Sequence, residues 1–150
     1  MSARASATAA QRRAGAEDWR AALLEGGLLV FAAYHLALAV WMALSPRSFF
    51  TAVGPFGVRN DHYIRDTATF EAALGVGLAV AVRRPAWRVP LLAVLAVQFA
   101  LHSVNHLVDI GAAHPAWTGY VDFASLAAST ALLLWLLALA RDPRTKGGSP

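Results

Sequence analysis

Four stretches of the chain are long and rich in apolar residues, and polar or turn-forming residues separate them. The predicted spans are about 21–44, 63–82, 89–110 and 119–140. A helix of about 20 residues crosses the roughly 30 Å hydrocarbon core of a bilayer, and each stretch approaches that length. The second is the least apolar because Arg65, Asp66 and Glu71 lie in its first half. The pattern predicts an all-α protein, a four-transmembrane-helix antiparallel bundle.

Proline marks the boundaries between these spans. The residue before a proline disfavours helical geometry, so Ser45-Pro46 ends the first span and Arg84-Pro85 ends the second. Pro90 suits the first turn of the third span. Between the first two spans, residues 46–62 form an outer loop. Its aromatic residues favour a position along the lipid headgroups, namely Phe49, Phe50 and Phe56.

The composition strengthens the membrane interpretation. Of 150 residues, 57% are apolar and 15% are charged, whereas soluble domains are about 45–50% apolar and about 25% charged. The absence of cysteine excludes a disulfide framework. We predict a disordered cytoplasmic tail over residues 1–18, a membrane domain over 19–141 and a cytoplasmic tail over 142–150. A signal peptide ending at Ser45 and a transit peptide in residues 1–15 are less favoured interpretations.

The basic residues predict the orientation of the chain. The net charge is +4, but arginines flank the apolar spans instead of forming a basic patch, which argues against a nucleic-acid partner. One side of the predicted bundle has ten basic residues and the other has three, Arg47, Arg59 and Arg65. Because basic flanks stay inside, both termini are predicted to face the cytoplasm, with the protein in the cytoplasmic membrane.

Polar side chains in the spans fall into two layers. A helix rises about 1.5 Å per residue, so depth can be counted from the flanking cytoplasmic arginines. The first layer lies about 18–22 Å from them and contains His35, Glu71, His102 and Ser129. The second lies at about 25–31 Å and contains Asp66, His106, Asp109 and Asp122. Because ionisable groups in membranes usually face a partner or water, these layers predict an outward-facing histidine and carboxylate crevice.

The third and fourth spans each have polar residues along one face. On the third span this face contains Gln98, His102, Asn105, His106 and Asp109, within roughly 100° of arc. The candidate polar or binding residues are His35, Glu71, His102, Asn105, His106, Asp109, Asp122, Ser125 and Ser129. Asp66 also has a simpler interpretation as a helix N-cap, and Asp122 as an acidic residue near the positive end of a helix dipole.

Small residues in the second span form a stripe suited to close helix contact. The stripe consists of Thr69, Ala73, Gly77 and Ala81.

Two cofactor hypotheses use the histidines. His102 and His106 are four residues apart, a spacing found at many metal sites. A divalent metal (Zn, Fe or Cu) could then be bound by His35, Glu71, His102 and His106. Alternatively, His35 and His102, at equal predicted depth on different helices, could be axial ligands of a b-type haem.

The order of features resembles the DoxX-like group of small four-helix bacterial membrane proteins. The shared pattern is an apolar first span, a proline-bearing outer loop, and a second span that begins with polar residues and continues into small ones. That second span reads Phe70-Glu71-Ala72-Ala73-Leu74-Gly75-Val76-Gly77. The resemblance covers roughly residues 26–140 and implies no catalytic residues.

Three functions remain open from the sequence. The first is a non-enzymatic accessory or binding subunit of the membrane that acts through its crevice, alone, as a homo-oligomer or with another membrane protein. The second is a metal- or haem-dependent redox protein. The third is a transport component completed by oligomerisation.

Overall fold

The computed structural model describes residues 2–142, and over this range the chain forms five helices and no strand. The helices are α1 (Ser2–Leu44), α2 (Pro46–Ala52), α3 (Asp61–Arg83), α4 (Pro85–Val108) and α5 (Trp117–Arg141). The all-α prediction is confirmed. The predicted tail 142–150 lies outside the described residues except for Asp142.

Helix α1 is longer than the first predicted span. It begins at Ser2, so a helix covers residues 2–18 of the stretch for which the sequence predicted a disordered tail. The physical reason is local composition, since this stretch is rich in alanine, the residue with the highest helix propensity.

The outer loop and the helix starts also differ from prediction. Residues 46–52 form the short helix α2, with Pro46 in its first turn. The N-cap of α3 is Asn60 and not Asp66, because the Asn60 side chain accepts hydrogen bonds from the backbone N–H groups of His62 and Tyr63. Helix α4 begins at Pro85, which places Pro90 one turn inside the helix.

Three helical segments within the described range are long and apolar enough to cross a membrane. They are Trp19–Leu44, Pro85–Val108 and Trp117–Arg141. No more than 33% of the apolar stretch of each is buried inside the molecule, so most of its surface suits contact with acyl chains. Helix α3 is not among them, because its charged residues interrupt the apolar pattern. A four-helix transmembrane bundle therefore stays a prediction.

The helices pack side by side around an apolar core. Helix α1 packs along α3, α4 packs along α5, and α3 also contacts α4. Gly75 allows α1 and α3 to approach closely, since a Cβ there would lie 3.0 Å from the backbone nitrogen of Leu36. The predicted small-residue stripe is only half buried: Gly77 and Ala81 lie inside, whereas Thr69 and Ala73 are exposed.

The end of the molecule with the α3–α4 turn is held by buried Arg88. Its guanidinium donates to the carbonyl oxygens of Ala81 and Val82 at 3.1 and 2.9 Å, and to the Glu25 carboxylate at 2.8 Å. These bonds satisfy carbonyls in the last turn of α3 and connect α1 to α4. Arg88, which the sequence analysis used only as an orientation signal, thus also has a packing role.

Candidate functional site

A cavity of about 340 Å³ opens at the end of the molecule opposite the α3–α4 turn. Its walls come from the second halves of α1 and α4, the first halves of α3 and α5, and the segment from α2 to residue 56. Small-molecule sites are clefts of about 300–1,000 Å³ with mostly apolar walls and a few polar groups. This cavity has that size and that kind of lining.

A histidine–carboxylate pair lies in the wall between α1 and α3. His35 is 1% exposed, and its Nδ1 lies 2.5 Å from Oε2 of Glu71. The rings of Tyr34 and Phe99 pack edge to face with the imidazole, and their centroids lie 5.4 and 5.8 Å from the imidazole centroid. With Glu71 ionised, Nδ1 donates to the carboxylate, which leaves Nε2 of the neutral ring as an acceptor. The pair is therefore fixed in place by packing and by one strong hydrogen bond.

Several buried polar atoms of the cavity residues have no protein partner within the described part of the chain. They are His35 Nε2, Gln98 Oε1, His106 Nδ1 and Asp122 Oδ2. Buried polar atoms in folded proteins are nearly always hydrogen-bonded, and exceptions require an explanation such as a water or a ligand. These atoms belong to α1, α4 and α5, so polar groups from three helices are available to an occupant of one cavity.

The two histidines of α4 bond to each other. His102 Nε2 and His106 Nε2 are 3.1 Å apart, so one ring donates to the other. The Phe56 ring stands edge to face against His106, with centroids 5.0 Å apart. The four-residue spacing that suggested metal ligands thus places both imidazoles on one face of the helix, where they pair within the cavity wall.

The metal hypothesis receives no geometric support. Among the residues whose side chains the structure describes, no three His, Asp or Glu groups are arranged to hold a metal ion. Glu71 bonds to His35 while His102 bonds to His106, so the four candidate ligands form two pairs. Ligation of a haem by His35 and His102 stays a prediction.

Six of the nine candidate residues, all of them in the described range, line the cavity. They are His35, Glu71, His102, His106, Asp122 and Ser125. The other three do not: Asn105 and Asp109 are exposed, and Ser129 lies one turn farther along α5 than Ser125. Asp109 is the C-cap of α4, which places it beyond the regular helix. The angular position of a residue on its helix did not show which candidates line the cavity, because this also depends on how the helices pack.

Other cavity residues were not among the candidates. The sequence analysis named Gln98 only as part of the polar face of the third span. No pattern in the sequence singled out Tyr34, Tyr63 or Thr67 as cavity residues. Phe49 and Phe56, which the sequence analysis predicted along the lipid headgroups, line the cavity. The reason is that α2 folds back against α1 and α3, and the segment after it pairs with Ala113 near the start of α5.

The polar lining combines two carboxylates with three imidazoles. The carboxylates are those of Glu71 and Asp122, and the imidazoles are those of His35, His102 and His106. Within the described residues, no lysine or arginine lines the cavity. Aromatic rings from four helices and from the segment after α2 complete the wall: Tyr34, Phe49, Phe56, Tyr63 and Phe99.

Comparison with known proteins gives no family assignment. No protein-family model, no curated protein and no solved structure matches the chain.

Proposed function

We propose that this chain is a small multi-pass membrane protein that binds a small, largely apolar molecule in the cavity described above. It acts as a binding or accessory subunit and not as an enzyme. The observation that carries the proposal is the set of unpartnered buried polar atoms in one mostly apolar cavity, within the described residues. Such a combination is the usual form of a ligand site.

In the proposed topology, α3 is the fourth membrane-crossing helix of an antiparallel bundle. The positions or partners of four of its charged residues support this placement. Glu71 bonds to His35, so the charge deepest in the helix is paired. Asp61 and Asp66 lie in the first two turns, near the expected membrane surface, and Arg83 lies in the last turn. The resemblance to DoxX-like proteins is consistent with the same topology.

The proposed orientation places the cavity on the outer side of the cytoplasmic membrane and both termini in the cytoplasm. It is supported by the excess of basic residues that flank the opposite ends of the spans in the sequence. Exposed tryptophans near the ends of the candidate spans fit the aromatic belts of a membrane protein. These are Trp19, Trp41, Trp87 and Trp117.

Transport by a single copy is not supported. Beyond the cavity, the interior between the helices is filled by leucines that are almost fully buried, including Leu78, Leu92, Leu95 and Leu133. A solute would have to displace this close-packed core. A transport role would therefore require a path between copies in an oligomer.

Cysteine labelling tests the orientation. The natural chain contains no cysteine, so single cysteines can be introduced by Ser125→Cys in the cavity wall and Ala86→Cys at the exposed α3–α4 turn. A membrane-impermeant maleimide added to intact cells is expected to label Ser125→Cys. It should label Ala86→Cys only after the membrane is permeabilised. The reverse pattern would show that the cavity faces the cytoplasm.

Ligand binding tests the proposed function directly. The probes are three compounds with one fluorinated aromatic body: 2-(4-fluorophenyl)ethylamine, 2-(4-fluorophenyl)ethanol and 4-fluorophenylacetate. Fluorine NMR on the full chain in phosphatidylcholine nanodiscs is expected to show saturable binding of at least one probe. Empty nanodiscs give the correction for partition into lipid.

A substitution that fills the cavity provides the specificity control. Ser125→Trp places a large ring in the cavity and is expected to weaken saturable binding about tenfold, which is about 1.4 kcal/mol. The matched control Ala128→Trp adds the same ring to an exposed position three residues away and should leave binding unchanged. Absence of saturable binding by all three probes would reject the proposed function.

A further inference from the structure

The unpartnered atoms of the cavity differ in what they can offer to a ligand. Asp122 Oδ2, when ionised, and Gln98 Oε1 can only accept hydrogen bonds. With Glu71 ionised, His35 Nδ1 donates to its carboxylate, and Nε2 of the neutral ring is then also an acceptor. Protonation of Nε2 would leave a buried N–H without a protein partner in the described structure, in a side chain that is 1% exposed. The role of the fourth atom, His106 Nδ1, depends on which imidazole donates in the His102–His106 bond. Three of the four atoms are therefore acceptors, and the complementary ligand is a donor.

The charge of the lining favours the same kind of ligand. Two carboxylates line the cavity, and no guanidinium or ammonium group from the described residues does so. Hydrogen bonds between a cationic donor and a carboxylate are stronger than neutral ones, and they strengthen further away from bulk water. An anionic ligand would meet both carboxylates and the same unpaired acceptors.

The aromatic lining supplies a third feature that suits a cation. The faces of Phe and Tyr rings attract ammonium groups, and several rings around one site form an aromatic cage. Rings from α1, α2, α3 and α4 and from the segment after α2 line this cavity, so an occupant has aromatic neighbours on several sides. The same rings bury the apolar body of a ligand.

We infer that the cavity binds an organic ammonium compound with an apolar body, its N–H groups bonding to His35 Nε2, Gln98 Oε1 and Asp122. A primary ammonium group has three N–H donors, which matches these three acceptors. The inference rests on the proposed function, because it names the chemical class of the ligand for the same cavity.

The three fluorinated probes share one aromatic body and differ in charge. Differences in their affinities therefore measure the preference of the cavity for ligand charge, separately from its ability to bind the body. The ammonium probe is expected to bind the wild-type protein about tenfold more tightly than the neutral alcohol. The carboxylate probe should show no saturable binding. Zwitterionic phosphatidylcholine nanodiscs keep lipid charge from favouring the amine.

Asp122→Asn identifies the source of the preference. This substitution keeps the size of the side chain and removes its charge, so it should reduce the advantage of the ammonium probe over the alcohol about fivefold. The affinity for the ammonium probe should fall more than the affinity for the alcohol, which carries no charge to lose attraction to the carboxylate. The matched control is Asp109→Asn, which removes a charge from an exposed residue outside the cavity and should leave both affinities unchanged.

Each possible result of these binding measurements either supports or overturns the ammonium inference. Equal or tighter binding of the alcohol would overturn the ammonium inference while the proposed function stands. Saturable binding of the carboxylate probe would overturn it in the same way. A preference for the amine that is equally strong in Asp122→Asn would also overturn it, because the cavity carboxylate would then not recognise the ligand. Failure of all three probes would overturn both proposals.

Discussion

Replacing His35 with alanine is expected to destabilise the protein by about 3 kcal/mol and to abolish probe binding. The substitution removes an imidazole that is almost fully buried between Tyr34 and Phe99, leaving a void. It also deprives the Glu71 carboxylate of its hydrogen-bond partner. Unfolding of the purified protein by increasing SDS in mixed micelles, followed by circular dichroism, measures the loss.

A double-mutant cycle separates the His35–Glu71 interaction from the loss of packing. The combined cost of His35→Ala and Glu71→Ala should fall short of the sum of the single costs by about 1–2 kcal/mol, because either substitution alone already breaks the pair. His62→Ala is the matched control: this histidine of α3 is exposed and pairs only at the surface with Asp66, so stability should change little. Strictly additive costs would show that the observed bond contributes no stability.

Gly119→Ala is expected to destabilise the protein by about 3 kcal/mol, at the upper end of the usual cost of overpacking. A Cβ at this position would lie 2.1 Å from the backbone carbonyl oxygen of Ile110. A backbone atom cannot move aside as the end of a flexible side chain can, so the segment between α4 and α5 would have to shift. The same SDS unfolding measurement tests this expectation.

The matched control for this substitution lies in the same connection. A Cβ on Gly111 would meet no atom within 4 Å, so Gly111→Ala should leave stability nearly unchanged. Because the shifted segment contacts the chain near Phe56, a cavity residue, Gly119→Ala should also weaken probe binding. Equal stability of the two variants would mean that the close approach of Gly119 to Ile110 does not occur in the protein.

The structure also explains how polar groups can lie in an apolar environment. The His35–Glu71 and His102–His106 pairs place strongly polar atoms against each other, which lowers the cost of removing them from water. Each pair nevertheless leaves one ring nitrogen without a partner among the described residues. A ligand that donates a hydrogen bond to His35 Nε2 would satisfy that nitrogen, which is why we include it among the recognition atoms.

The sequence by itself determined the helical class, the approximate limits of α3, α4 and α5, the C-terminal end of α1 and the apolar surface of three helices. These properties depend on local composition and on runs of apolar residues, which are readable without knowledge of contacts. Counting rise along the helices also identified His35 and Glu71 as neighbours in depth, because depth depends only on position along a helix.

Only the tertiary structure decided which polar residues share the cavity. Rotation of each helix about its axis and the path of the connections are fixed by packing between distant segments. That packing pairs Glu71 with His35, turns Asn105 and Asp109 away from the cavity, and brings Phe49 and Phe56 into its wall. A pattern along one helix cannot specify its partner, so the sequence could not show that His35, Glu71, His102 and His106 form two hydrogen-bonded pairs.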